Sequence, residues 1–311
     1  MKYFHQPVLL EEVIEYLNPK ANQNFIDCTI GGGGHARAIL EKIKPNGKLL
    51  GLDRDPKAIA ATGENLKIYK NRLILINDSY KNIQEIIYGN KIDLQFNGIL
   101  LDLGLSSAQI SAEDERGFSF QADQPLDMRF GPDGSLTAAE ILNKWPEQKL
   151  LEIFKNYGEE PRARMAAQKI VKQRAVKEFT TTLDLVELMD EVYGGGRGKL
   201  NPATKVFQAL RIAVNNELEN LSAALPKLLQ ILSRGGRMAV ISYHSLEDRI
   251  VKHWFQDLTK DCICPKNFPE CRCDHRQQAD ILTKKSIQPA SAEIKANPRS
   301  RSARLRVMQK I

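Results

Sequence analysis

The chain has 311 residues, enough for one large domain or one domain carrying an insertion, and its hydrophobic fraction of 42% can bury a sizeable core. Lysine and arginine number 45 against 38 aspartates and glutamates, a net charge of +7 that fits either a polyanionic partner or a generally basic surface. No apolar run approaches the ~18 residues of a membrane span, and Met1 to Glu12 turns acidic too soon for a signal peptide. A cytosolic location without a membrane partner is therefore expected, with the five cysteines as thiols or metal ligands rather than disulfides.

Val8 to Leu17 carries apolar residues at helical spacing and reads as a helix before the first strand. Phe25 to Ile30 reads as a buried strand enclosing one acid, Asp27, and breaks into four glycines, Gly31 to Gly34. The pattern of Ala36, Ile39, Leu40 and Ile43 predicts a helix immediately afterwards. Strand, glycine turn and helix N-terminus make the mononucleotide-binding corner of a doubly wound sheet. Gly47 to Asp53 is the second predicted strand and ends in an acid at the interval where such folds place a carboxylate on a ribose. Asp55 and Pro56 next to it read as helix cap and first helical residue, leaving Asp53 as the functional candidate.

Arg72 to Asn77 and Phe96 to Gly104 are the third and fourth predicted strands, with Asp78 and Tyr80 after one and Asp102 at the end of the other. Ligands in open α/β sheets sit outside the carboxyl ends of strands, where these acids converge. From Ser106 to Leu200 the alternation stops and helices are predicted over 138–142, 148–157, 162–174 and 182–193, followed by a glycine link at Gly194 to Gly198. Residues 106–200 thus read as a mostly helical insertion, with 1–105 and 201–311 forming one discontinuous domain. Arg162, Arg164, Lys169, Lys172, Arg174 and Lys177 fit an RNA-facing surface or a solvated helix face.

Asn201-Pro202 restarts a helix with Phe207, Leu210, Val214 and Leu218 on one core stripe, a second helix over Leu221 to Leu232 is stopped by Gly235-Gly236, and a fifth strand runs from Arg237 to Tyr243. His244 to Arg249 opens another helix, where Ser245 with Asp248 resembles a capping pair. Cys262-Ile-Cys264 and Cys271-Arg-Cys273 offer four thiolates to a tetrahedral zinc, with free thiols as the alternative. Asn297 to Met308 alternates through Ala303, Leu305 and Val307 with arginines between, which predicts a late strand with a basic face.

The glycine corner with Asp53 fits either a nicotinamide dinucleotide or S-adenosylmethionine. Gly31, Gly33 and Ala36 meet the dinucleotide fingerprint only loosely. The methyl donor suits the details better. Asp27 lies before the glycines, suited to its cationic amino-acid end or to a water. Asp78 and Tyr80 are placed for an adenine, Asp102 lies where a methyl group would emerge, and the insertion would roof the substrate.

At these residues the chain resembles the ribosomal RNA small-subunit methyltransferase H family, also called MraW or RsmH. The resemblance covers nearly the whole length. It rests on His5-Gln-Pro-Val-Leu-Leu-Glu-Glu, Asp27-Cys-Thr-Ile-Gly-Gly-Gly-Gly-His35, Leu52-Asp-Arg-Asp-Pro56 and Leu101-Asp-Leu-Gly-Leu-Ser-Ser107. Arg116-Gly-Phe-Ser-Phe120, Pro125-Leu-Asp-Met-Arg129, Phe207-Gln-Ala-Leu-Arg-Ile212, Ile241 to Lys252 and Asn297-Pro-Arg-Ser extend it.

The resemblance implies a Rossmann-like S-adenosylmethionine-dependent fold with a helical substrate-recognition insertion. It further implies N4-methylation of a cytidine in the decoding region of 16S ribosomal RNA, within the small ribosomal subunit. Cofactor positions map onto Gly33, Gly34, His35, Asp53, Tyr80, Asp102 and Gln109, to which the strand-end reading adds Asp27 and Asp78. Tyr80 stands where the family more usually has Phe, and Ala36 where it has Ser; the cysteine cluster is not universal in the family.

Asp102 and His244 are the catalytic candidates, His244 reading equally well as a helix cap. Phe118 or Phe120 would stack on the base or pack in a core. A second copy of the chain is a candidate partner. A nicotinamide-dependent oxidoreductase and a non-catalytic ribosome-assembly RNA-binding protein remain the alternatives.

Overall fold

The computed structural model describes residues 7–111, 113–120, 122–132, 134–195, 201–264 and 270–311. His5 and Gln6 of the first family segment, and Gly196 to Gly198 of the glycine link, lie outside the described residues. The chain divides into two compact units, a sheet unit of Met1–Gly104 with Leu218–Ile311 and a helical unit of Leu105–Glu217. Among the described residues no helix is long and apolar enough to cross a membrane.

The sheet unit begins with α1 (Leu10–Leu17) and alternates β1 (Asn24–Asp27), α2 (Gly34–Lys42), β2 (Leu49–Asp53), α3 (Pro56–Asn65), β3 (Leu73–Asn77), α4 (Ile83–Gly89) and β4 (Phe96–Asp102). The helical unit holds α5 (Ala138–Lys144), α6 (Glu147–Asn156), α7 (Ala163–Arg174), α8 (Thr182–Tyr193) and α9 (Thr204–Asn215). The chain continues through α10 (Glu217–Ile231), β5 (Leu232–Ser242), α11 (Ser245–Leu258), β6 (Ala279–Ile281), α12 (Ser291–Ala296) and β7 (Arg304–Lys310).

The strands form one sheet in the order β3-β2-β1-β4-β5-β7-β6. β1 to β5 pair in parallel, whereas β7 runs antiparallel to both β5 and β6. This is a Rossmann-like sheet with the antiparallel β7 inserted beside β5. The dinucleotide-binding order, 3-2-1-4-5-6, has no antiparallel strand inserted next to the fifth.

Both faces of the sheet are covered, as parallel strands require. Phe25, Leu49 and Leu100 enter one core with Val13, Ile39 and Leu305. Their neighbours Ile26, Leu50 and Leu101 enter the other with Leu225, Leu228 and Phe255. The strands therefore read as continuous apolar runs, because alternate residues face two different cores.

Several predicted boundaries move. β1 ends at Asp27 instead of Ile30, since the chain turns there toward the glycines. The helix expected over Leu221 to Leu232 ends at Ile231, within a residue of that reading, but Gly235-Gly236 lies in a bulge of β5 and not between helix and strand. The strand starts at Leu232, and its register on β4 jumps from Phe96–Leu232 to Gly98–Arg237. Gly235 supplies the positive φ, 77°, that this bulge needs. The late strand is β7, shorter than expected because Pro298–Ser302 forms a 3₁₀ turn.

The insertion also ends later than the predicted residue 200. Ala203, Val206, Phe207, Leu210 and Val214 belong to the core of the helical unit with Phe154, Ile170 and Leu188. Helical periodicity showed that this face of α9 is buried, but a stripe does not name the core it enters.

Candidate active site

The glycine turn is shaped from both ends. Gly31 and Gly33 take φ of 49° and 79°, the left-handed region that favours glycine. A side chain on Gly33 would also lie 2.9 Å from Leu66 Cδ1, whereas at Gly31 the nearest atom is Thr29 O at 3.9 Å. α3 holds the turn from behind: Thr62 Oγ1 donates to Gly31 O at 2.6 Å and Asn65 Nδ2 to Gly32 O at 3.2 Å. Asp53 fixes the front, with one carboxylate oxygen accepting from Gly31 N at 3.0 Å and the other from Asp55 N at 2.9 Å. Asp55 caps α3 through Lys57 N with Pro56 following, so the two acids divide their roles as the sequence predicts.

Asp27 lies buried at the end of β1 and accepts only a long hydrogen bond from Thr29 N, 3.2 Å. Burial pushes its carboxyl up to about 8; the Thr29 N–H pulls it back, and the charges of Asp102 and Asp53 add to the rise. Three carboxyl groups thus face one region at the ends of β1, β2 and β4.

Asp102 is held more firmly. Its backbone N–H donates to Thr29 Oγ1 at 2.6 Å, and Tyr243 Oη donates to its Oδ1 at 2.9 Å. Burial raises the Tyr243 hydroxyl well above its ordinary value, and the Asp102 charge raises it further, so it stays a proton donor. Tyr243 is the residue that sequence reasoning missed. Parallel pairing sets Asp102 beside Ile241, two residues before Tyr243, and only the register reveals that neighbourhood.

His35 Nδ1 lies 3.7 Å from Asp102 Oδ2, but the two are not an ion pair. His35 Nε2 donates to Val8 O at 3.0 Å. Burial lowers the ring to about 4 despite that bond, which leaves it neutral near pH 7. Nδ1 then presents a lone pair to the carboxylate, and His35 acts as a packed wall of the corner.

Asp78 accepts from Ser79 N at 2.6 Å and Asn82 Nδ2 at 2.8 Å, so it organises its own turn. Tyr80 is partly buried against the core that contains Ile83. Gln109 lies in the helical unit, buried in a turn where its Oε1 accepts from Ser106 N at 2.9 Å. His244 is the N-cap of α11 with Glu247 as its reciprocal partner, a correction to the expected Ser245–Asp248 pair. Its Nε2 is 3.2 Å from Glu247 Oε1, outside hydrogen-bonding geometry. Asp248 instead grips Arg306 through two bonds of 2.7 and 3.0 Å.

In the helical unit, Phe118 stacks on Phe130 with centroids 5.6 Å apart, and Phe120 meets Phe207 edge-on at 5.5 Å. Both phenylalanines therefore pack within that unit's core region. The basic series of α7 is also largely committed to its own fold. Arg162 donates to Val192 O, Arg174 to Leu142 O and Trp145 O, Lys169 pairs with Glu191 and Lys177 with Asp184. A more open cationic surface lies in the sheet unit, where a cleft of about 620 Å³ is lined by Tyr243, Arg249, Lys252, His253, Arg301 and Arg304, among others.

Comparison with known proteins agrees with this arrangement. The family model of the MraW methylase family matches residues 2–311. The chain is 46% identical over 310 residues to Ribosomal RNA small subunit methyltransferase H of Dehalococcoides mccartyi, covering 100% of this chain and 87% of that protein. It is 44% identical over 313 residues to the protein of the same name from Heliobacterium modesticaldum, with 100% of both chains covered. With its glycine corner, strand-end carboxylates and full-length match, the chain belongs to the MraW methylase family.

Proposed function

We propose that this protein transfers a methyl group from S-adenosylmethionine to the exocyclic N4 amine of a cytidine in the decoding region of 16S ribosomal RNA. Family membership and the names of the relatives support the RNA substrate. The observation that carries the site is the set of three carboxyl groups beside the glycine turn, with Asp102 held by Tyr243.

The donor set fits the cofactor. S-adenosylmethionine brings a cationic sulfonium and ammonium and a ribose diol, and when bound it supplies an electrophilic methyl group. Asp27, protonated by burial and by its neighbours' charge, is the group that a cation would draw back into the carboxylate form. Asp53, oriented by two backbone N–H groups at the end of β2, is the carboxylate assigned to the ribose hydroxyls. Gly31 to Gly34 with the neutral His35 shape the corner, and Tyr80 with Asp78 flanks the adenine end.

A cytidine amine is a weak nucleophile because its lone pair is conjugated with the ring. The protein's part is to hold it in line and to accept its hydrogen bonds, which the assignment gives to Asp102. Tyr243 fixes the direction of that carboxylate. Extruding the base is required if it starts paired. The helical unit is assigned to substrate recognition.

Incubation with radiolabelled S-adenosylmethionine and immature small subunits, followed by digestion of the RNA to nucleosides, tests the reading. Label in N4-methylcytidine is expected. Asp102→Asn should lose on the order of 10²-fold or more in rate while unfolding like the parent. Label in another nucleoside, or none with folded protein, sinks the assignment.

A further inference from the structure

The segment between α11 and β6 runs from Thr259 to Gln278, and its sequence holds only Ile263 and Phe268 as large apolar residues. Its base is tied by two contacts at the end of α11: Gln278 N donates to Leu258 O at 2.8 Å, and His275 Nε2 to Asp257 O at 2.9 Å. Among the described residues of the segment no apolar side chain is buried in a core, and Ile263 keeps 49% of its surface exposed. Hydrophobic burial therefore does not explain why four cysteines from two arms of this segment meet.

They meet closely. The sulfurs of Cys262, Cys264, Cys271 and Cys273 all lie within 4.8 Å of one another, and none is in a disulfide. Cys271 Sγ is 3.6 Å from Cys273 Sγ, which is 3.8 Å from Cys262 Sγ. A single ion with metal–sulfur bonds of about 2.3 Å in tetrahedral geometry sets its sulfurs about 3.8 Å apart. A polynuclear cluster, with thiolates on different irons, holds them further apart.

Backbone N–H groups also point at the sulfurs. Cys264 N donates to Cys262 Sγ at 3.4 Å, Ile263 N to Cys273 Sγ at 3.5 Å and Arg272 N to Cys264 Sγ at 3.4 Å. Each arm's backbone thus donates to a sulfur of the other arm, and Cys264 N to one of its own. Such donors stabilise sulfur carrying negative charge and orient it as the second shell of a metal site does.

We propose that Cys262, Cys264, Cys271 and Cys273 bind one zinc ion as a closed tetrathiolate site that staples the segment between α11 and β6. The soft four-sulfur set selects zinc over hard cations, and four protein ligands leave no open position, so the site is structural. Binding deprotonates the thiols and releases their protons to solvent, with no change in sulfur oxidation state. The inference is independent of the methyl-transfer reading.

The test uses the full chain purified in reductant without chelator. Metal analysis should find about one zinc per chain, released when the thiols are blocked by a mercurial reagent and detected with a chromogenic chelator. Cobalt(II) replacing the zinc should show the charge-transfer and ligand-field bands of a tetrahedral tetrathiolate. Cys264→Ser and Cys271→Ser should each shift those bands or abolish binding, and chelation should hasten proteolysis within the segment. If a serine variant fails to fold, the cobalt spectrum of the parent protein still decides. Stoichiometric iron, disulfides in the purified chain, or no zinc together with no cobalt bands would each overturn the proposal.

Discussion

At the scale of single residues, burial changes the protonation of Asp27. In the free protein this carboxyl titrates at about 8, against 3.8 for an ordinary aspartate, with burial as the first cause. Between those values the folded chain holds a proton that the unfolded chain has released. Asp27 therefore contributes nothing below pH 3.8 and costs stability increasingly as pH rises toward 8. His35, lowered from 6.5 to about 4, works in the opposite sense: its cost grows as pH falls from 6.5 toward 4 and is absent above. A bound cation next to Asp27 lowers its pKa, so binding should expel a proton. Calorimetric titration of S-adenosylmethionine near pH 7, in buffers of different ionisation enthalpy, should reveal proton release that Asp27→Asn abolishes. Buffer-independent enthalpies would remove Asp27 from the cation site.

Elements are placed by close contacts that only some residues allow. Gly98 in β4 packs against the Phe25 ring of β1, and an added Cβ would fall 2.1 Å from Phe25 Cε1. Gly63, inside α3, meets nothing nearer than Leu75 Cδ1 at 3.7 Å. The same substitution should thus have opposite signs at the two positions. Gly98→Ala is expected to destabilise by about 1–3 kcal/mol through overpacking. Gly63→Ala should stabilise by about 0.5–1 kcal/mol through helix propensity. Urea unfolding of the two variants measures both; a stable Gly98→Ala chain would mean that the β1–β4 contact relaxes freely.

Much of this element scale was legible in the sequence. The apolar runs that become β1 to β4, the Asp55-Pro56 start of α3 and the α5 to α8 series all follow from local pattern. The misjudged features depend on partners. The Gly235-Gly236 bulge exists because β5 must pair with β4, and three-residue β6 exists because β7 offers it an edge. His244 rather than Ser245 caps α11, its ring accepting from Glu247 N at 3.5 Å while Glu247 Oε2 accepts from His244 N at 3.4 Å.

For the whole molecule, the net charge of +7 acquires a location. Most of the basic residues expected to face RNA from α7 bind carbonyls or acids of their own unit. Lys252, Arg301 and Arg304, from distant parts of the chain, line one cleft of the sheet unit beside Tyr243. If this cleft follows an RNA backbone, replacing all three with Gln should weaken binding of single-stranded RNA. It should also flatten the dependence of log affinity on log salt by about 0.7 per lost phosphate contact. Fluorescence anisotropy across a salt series reads both effects, and an unchanged slope would exclude the cleft as an RNA surface.

The sequence by itself determined the glycine corner, the acids at the strand ends and the family, because these depend on short motifs whose backbone and side-chain chemistry is local. It also marked the four cysteines. Tertiary structure alone decided that α9 enters the helical unit's core, that Tyr243 steadies Asp102 and that His35 stays neutral. It alone brought the two Cys-x-Cys arms together. The reason is physical: strand register, desolvation and the meeting of distant arms depend on which elements become neighbours, and no local pattern carries that information.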